Sequence, residues 1–255
     1  MSAGHGSAGL YRAGHSALHR LPAQCKIAAH LAFVLVVVCT PRETFWPYAA
    51  YALLLAAVAA VARVPAGFVA RRLVIEVPFV LFALALPFLA HGPRVDVLGV
   101  GLSESGLWSA WGILAKATLG VIASVLLAAT TSQRDLLLGL ERLGMPRTIV
   151  QIASFMLRYA DVIAGESERM RIARESRGFT PRHLGHLPVV AKSAGALFIR
   201  SYERGERVHL AMLSRGYDGA MPRLDSSATP ASAWATAALL PLLASVALAL
   251  AWAGR

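Results

Sequence analysis

LWSAWGILAKATLGVIASVLLAAT, residues 107–130, decides what kind of protein this is, because a run of that length holds only one charge, Lys116. As a helix it exceeds the roughly 30 Å hydrocarbon core of a bilayer. Working outward, apolar runs of eighteen or more residues recur at Phe45 to Ala62, Leu73 to Ala90 and Ala231 to Ala253. Each spans about 27 Å or more as a helix. A shorter block, Ile27 to Cys39, covers only about 20 Å. It completes a span either by extension through Leu21 to Lys26 or by tilting or thinning the bilayer. The reading is therefore an all-α integral membrane protein with about five transmembrane helices. The short block has the length of a signal h-region, but Thr40-Pro41-Arg42-Glu43 follows it without a small-residue cleavage site.

Composition agrees. The chain is 56% hydrophobic and 15% charged, against roughly 25% charged in a soluble domain. Its net charge of +11 would suggest nucleic acid in a soluble chain, but no finger spacing or aromatic-studded basic surface accompanies it. The basic residues instead avoid the apolar runs and collect between some of them, as they do in cytoplasmic loops. Arg12, Arg20 and Lys26 precede the first span, Arg63, Arg71 and Arg72 separate the second from the third, and fifteen basic residues fall between Thr131 and Asp225. The other connections carry Arg42 with Glu43, and Arg94 with Asp96 and Glu104. The expected topology has a cytoplasmic N-terminus and an external C-terminus. It divides the chain into a four-span membrane part over 1–130, cytoplasmic coupling helices over 131–225, and a last transmembrane helix over 226–255.

The region 131–225 opens with Ser132-Gln133-Arg134-Asp135, a capping-box-like start, and a short helix that Gly144 and Pro146 end. A second helix from Arg147 is mostly apolar through Ala164 and polar to Arg177, so its first half suits a membrane surface or a partner helix. A third runs from about Leu187 to Arg215. The second and third helices close on the same word: Ala173-Arg174-Glu175-Ser176-Arg177-Gly178-Phe179 and Ala211-Met212-Leu213-Ser214-Arg215-Gly216-Tyr217. Arginine in a last turn favours the negative end of the helix dipole, and glycine takes the left-handed cap position. That leaves the repeated alanine, serine and aromatic unexplained, and a doubled word of this kind suits docking to a two-fold or pseudo-two-fold partner.

These words resemble the signature of the T component of energy-coupling factor transporters, specifically the CbiQ type of cobalt uptake systems. The likeness extends through His19-Arg20-Leu21, Pro78-Phe79, Ile113-Leu114-Ala115-Lys116-Ala117, Leu140-Glu141-Arg142-Leu143, Ser154-Phe155-Met156-Leu157-Arg158-Tyr159 and Ser201-Tyr202-Glu203-Arg204-Gly205. It implies a non-catalytic subunit of the inner (cytoplasmic) membrane. Its partners would be an ATP-binding-cassette pair of the CbiO type, and a substrate-binding membrane subunit of the CbiM type with a CbiN-like accessory chain. ATP would be bound by those partners and no cofactor by this chain. The resemblance makes Arg177 and Arg215 the coupling arginines, with Ala173, Ser176, Gly178, Ala211, Ser214 and Gly216 completing the two words. Cobalt is the implied cargo; nickel or a vitamin would leave the same motifs, and a membrane scaffold or enzyme with no ATPase partner is the reading from another class.

Other features weigh less. No G-x-x-x-x-G-K-[ST] phosphate loop occurs, nor any G-x-S-x-G or H-E-x-x-H arrangement, so the energy source lies in a partner. Lys116 and Glu76 are ionisable groups inside spans and hence candidate intramembrane polar sites. Duller roles suit both: Glu76 could pair with Arg72 at i,i+4, and Lys116 could snorkel or hydrogen-bond within the bundle. His5, His15 and His19, and the pair His183 and His186, lack the acidic or cysteine partners that a metal site needs. Cys25 and Cys39 lie about 21 Å apart along one helix, too far to pair.

Overall fold

The computed structural model describes residues 11–90, 93–97, 100–179, 184–219 and 229–254. The chain divides into two compact units, one of Ala8–Leu143 with Ala228–Arg255, the other within Gly144–Ser227.

The larger unit starts with a single turn, α1 (Ala17–Arg20), capped by the Ser16 side chain on the His19 N–H. Pro22 then sets the entry to α2 (Ala23–Cys39), which has 17 residues rather than the thirteen of the bare apolar run, because Gln24, Cys25 and Lys26 are buried with it. Extension through Lys26 is thus the way this span gains length. Pro47 occupies the first turn of α3 (Trp46–Ala62), where its missing N–H costs nothing. Arg63, in the left-handed region at φ 56°, closes α3.

The third apolar run extends further toward the N-terminus than the sequence reading set it. It spans Ala66–Leu89 but is broken into α4 (Ala66–Arg72), a 3-10 turn over Leu73–Glu76 and α5 (Val77–Leu89). Pro78 explains the break, since it cannot donate to the carbonyl four residues back and its ring crowds that group. A short antiparallel hairpin follows, β1 (Arg94–Val97) with β2 (Val100–Ser103), in which Arg94 faces Ser103 and Val97 faces Val100. It holds the only strands among the described residues and was not expected from the sequence. Ser103 caps α6 (Glu104–Thr130) by accepting the Gly106 N–H. Gly106 also lets α5 approach, as a Cβ there would lie 2.8 Å from the Leu86 carbonyl oxygen.

Ser132 caps α7 (Gln133–Arg142) by accepting the Asp135 N–H at 3.1 Å. Although the sequence reading grouped α7 with the coupling helices, it packs on α2, where a Cβ on Gly139 would sit 2.9 Å from the Gln24 nitrogen. The other unit holds α8 (Arg147–Ser176), which follows Pro146, and α9 (Leu187–Leu213), with proline in its first turn. In the larger unit α10 (Ala231–Ala253) buries Ala233, Ala237, Ala244, Ala247 and Ala251. Small residues at that spacing let apolar helices meet closely in a bilayer.

The core of the larger unit gathers Phe33, Val37, Tyr48, Tyr51, Leu55, Leu126 and Ala244 from α2, α3, α6 and α10. The Tyr51 hydroxyl meets the Thr40 hydroxyl at 3.0 Å, and the Tyr48 hydroxyl donates to the Thr40 carbonyl. These bonds satisfy polar groups where α2 hands over to α3. Ala66–Leu89, Glu104–Thr130 and Ala231–Ala253 are long and apolar enough to cross a membrane, and Ala23–Cys39 and Trp46–Ala62 are shorter apolar helices. The protein is an all-α membrane protein.

Candidate functional site

The two repeated words fold alike, bond for bond. At the end of α8, Gly178 has φ 76°, its N–H reaches the Glu175 carbonyl at 2.9 Å, and the Phe179 N–H reaches Arg174 at 3.0 Å. At the end of α9, Gly216 has φ 83°, its N–H reaches Leu213 at 3.0 Å, and the Tyr217 N–H reaches Met212 at 3.0 Å. Both are Schellman caps with glycine in the left-handed position.

The serine repeats too. Ser176 Oγ donates to the Ala173 carbonyl at 3.1 Å and Ser214 Oγ to the Ala211 carbonyl at 3.0 Å. Each hydroxyl satisfies a carbonyl that the ending helix leaves unpaired, which gives the alanine and serine of the word a joint local role. The arginines do none of this through their side chains. Arg177 and Arg215 are exposed, and among the described residues neither guanidinium makes a hydrogen bond or ion pair. The word builds a rigid helix end and leaves a guanidinium at its tip.

The aromatics anchor the chain after each turn. The half-buried Phe179 ring lies 5.0 Å from that of His186. Tyr217 donates its hydroxyl to Gln151 Oε1 at 2.9 Å, while Gln151 Nε2 donates to the Gly219 carbonyl at 3.3 Å. Gln151, near the start of α8, therefore holds the end of α9. Midway, Glu166 accepts from Arg200 at 3.0 Å and from Arg204 at 3.3 Å with its own side chain only 14% exposed. These ties run α8 and α9 antiparallel, so the two words stand at opposite ends of a hairpin roughly 40 Å long. Next to the first word, Arg171 bonds Glu168 and Glu175. The Glu168 hydrogen bond and then the two carboxylate charges push its pKa up, so it stays a cation.

Gln151, Glu166, Arg200 and Arg204 were not read as site residues from the sequence. Their partners lie 34 to 68 positions away, beyond any helical spacing. An apolar stripe stays exposed on the same two helices, including Ile152, Met156, Phe198 and Tyr202.

Of the two intramembrane candidates, Lys116 lies on α6 and Glu76 on the 3-10 turn that packs against it. Lys116 donates to the Val38 carbonyl at 2.7 Å, closing one of the carbonyls that the end of α2 leaves open. Glu76 does not pair with Arg72. The 3-10 turn has three residues per turn, so positions four apart no longer stack, and Arg72 lies over the Phe68 ring instead. The Glu76 side chain turns to α6, where Oε2 accepts from Thr118 at 2.9 Å while Oε1 is buried with no partner among the described residues.

His5 and His183 lie outside the described residues. His19 bonds the Ser16 hydroxyl and the Arg12 carbonyl; no group of three or more His, Cys, Asp or Glu suited to a metal occurs among the described residues. Cys25 is buried and Cys39 exposed, both as free thiols.

The sequence profile of the cobalt transport protein family, CbiQ, matches residues 14–226. The chain belongs to this family. A CbiQ-family relative in Rhodobacter capsulatus, the cobalt transport protein CbiQ, is 29% identical over 191 residues, covering 72% of this chain and 74% of that one. The energy-coupling factor transporter transmembrane protein EcfT of Listeria innocua is 29% identical over 232 residues, 84% of this chain and 86% of that one. A Methanocorpusculum labreanum protein named as a fused cobalt transport protein CbiMQ is 28% identical over 152 residues, 59% of this chain. The match covers 25% of that fused protein, and a further match covers 41% of an uncharacterised protein of Methanocaldococcus jannaschii.

Proposed function

We propose that this chain is the coupling subunit of an energy-coupling factor importer. Arg177 and Arg215 enter grooves on the two halves of a cassette ATPase pair, and the membrane bundle holds a substrate-binding membrane subunit. The observation that carries the reading is the repeated cap: two helix ends with the same bonds, each satisfying its own backbone and presenting an unpaired arginine. Structural capping needs the glycine, but it has no need of an exposed guanidinium twice.

The partners bind and hydrolyse ATP, and this chain acts as the lever. Glu166 and Gln151 fasten α8 to α9, so a displacement imposed at one word passes to the other rather than dissipating in a loose hairpin. Closing of the ATPase pair moves both ends together, and the bundle passes that motion to the substrate-binding subunit. The module faces the cytoplasm, where ATP is, consistent with its basic residues; the N-terminus lies on the same side of the cell's inner membrane.

The family's name and the Rhodobacter relative favour cobalt as cargo, and the fused CbiMQ relative favours a CbiM-like subunit, with its CbiN-like accessory, as the membrane partner. The EcfT relatives align over more of this chain and name no metal, which supports a second reading, the same lever serving nickel or a vitamin.

A charge-assisted contact in a desolvated groove is worth about 1.5–3 kcal/mol. Arg177→Glu with Arg215→Glu should therefore cost at least roughly a hundredfold in ATPase recovery in mild-detergent pull-downs, and abolish uptake, with normal membrane levels of the chain. Normal uptake by the double variant would remove the coupling role. Recovery of wild-type chain with no cassette ATPase, under conditions that preserve other complexes, would favour a membrane scaffold or enzyme.

A further inference from the structure

The bundle contains a cavity of about 420 Å³ between α1, α2, α3, α6 and α10, lined by Leu18, Phe33, Val58, Leu126 and Leu240 among others. That volume is within the range of ligand sites, and the lining is mostly aliphatic, with Phe33, His30 and Thr236 as exceptions along it. At one end it reaches Lys26 and Thr130, where Lys26 Nζ donates to the Thr130 carbonyl at 2.8 Å.

The preceding carbonyl, Ala129, accepts the Arg12 N–H at 2.9 Å. Arg12 is thus fixed over the same end of α6. Its guanidinium lies 5.5 Å from the centre of the Phe68 ring, and that of Arg72 lies 5.2 Å from the same ring. Arg63 follows Ala62 at the end of α3, two residues from Val61, which also lines the cavity. Among the described residues Arg12, Arg63 and Arg72 have no acidic partner, so unneutralised positive charge gathers beside the Lys26–Thr130 end of the cavity, next to its lining rather than in it. A helix C-terminus attracts cations but carries only about half a charge.

We propose that the bundle binds one anionic phospholipid, with an acyl chain in this cavity and the phosphate on Arg12 and Arg72. The charge pattern selects a lipid over a purely apolar occupant such as a partner's helix. The cluster lies among the connections that the loop charges put in the cytoplasm, the leaflet where acidic headgroups attract basic groups at about 1 kcal/mol per residue. Phe68 holds the two guanidiniums in place by their cation–π contacts, so a headgroup meets them ordered.

The test uses full-length protein purified in mild detergent and offered equal phosphatidylglycerol and phosphatidylcholine, with retained lipid counted by native mass spectrometry. One phosphatidylglycerol per chain is expected, preferred by about tenfold or more. Arg12→Gln with Arg72→Gln should remove most of that preference without lowering the unfolding temperature of the lipid-free protein. Val58→Trp, which fills the cavity, should reduce retention of both lipids. Equal retention of the two lipids, or a preference that survives the double arginine variant, overturns the proposal. So does a Val58→Cys variant that crosslinks in native membranes to a partner subunit's helix and retains no lipid.

Discussion

Gly178 and Gly216 sit at φ 76° and 83°, where an alanine is strained. Each Gly→Ala change should cost about 1 kcal/mol and speed hydrogen exchange over the last turn of its own helix, 174–179 or 212–217, leaving the other end unchanged. Slowing or no change at either site would mean that the cap does not order the word. At this scale the word was legible in the sequence, since glycine and arginine announce a helix end. The role of serine was not, because its hydroxyl returns to the alanine carbonyl three residues earlier and only the folded turn shows that. Glu76 was misread for a related reason: the i,i+4 rule assumes an unbroken helix, and Pro78 breaks this one. A buried carboxylate with one oxygen unpaired is costly. Glu76→Leu removes the partnerless oxygen, and the Thr118 hydroxyl can turn to a carbonyl of its own helix, so the change should raise stability by about 1–2 kcal/mol, read as a higher unfolding temperature in detergent. Uptake lost in that stabilised variant would give the carboxyl group a functional role; a fall in stability would mean that Oε1 has a partner in the folded protein.

Among the elements, the five apolar helices could be placed from the sequence because length and hydropathy set them. The hairpin β1–β2 could not, although Val95, Val97, Val100 and Leu102 alternate, because four-residue strands interrupted by glycine resemble a loop. The partner of α7 was hidden as well. Its apolar residues suit either unit, and the feature that decides is Gly139, whose missing side chain admits the Ala23–Gln24 backbone of α2. Gly139→Leu should therefore separate α7 from α2 and cost 2 kcal/mol or more, about the price of overpacking; the check is faster exchange across 133–142. Between α8 and α9 the Gln151 amide serves both Tyr217 and Gly219. Gln151→Ala should release 214–219 to faster exchange while Glu166 still holds the helices midway, and it should weaken ATPase recovery less than the loss of Arg215. If 214–219 exchange is unchanged, Tyr217 is anchored elsewhere.

For the whole molecule, the proposed topology, five apolar helices crossing in series with the basic connections in the cytoplasm, puts the start of α2 and the end of α10 on opposite faces of the bilayer. The two 17-residue helices are about 25 Å long, short of a 30 Å core, so their ends lie close to the interfaces. That makes the native cysteines a topology probe. Cys39 is exposed at the end of α2, beside Thr40 and Pro41, whereas Cys25 is buried near its start, one residue before Lys26. On the proposed topology Lys26 lies on the cytoplasmic side and Cys39 on the outer side. A membrane-impermeant maleimide added to intact cells should label the chain once, Cys39→Ser should abolish that label, and Cys25→Ser should leave it unchanged. Labelling that requires permeabilised cells would invert the topology and put α8 and α9 on the side without ATP. In that event the arginine words could not meet a cytoplasmic ATPase, and the coupling proposal would fail with the topology, whereas the lipid proposal would lose its cytoplasmic-leaflet argument and, resting then on the cavity and its arginines, would keep its own test.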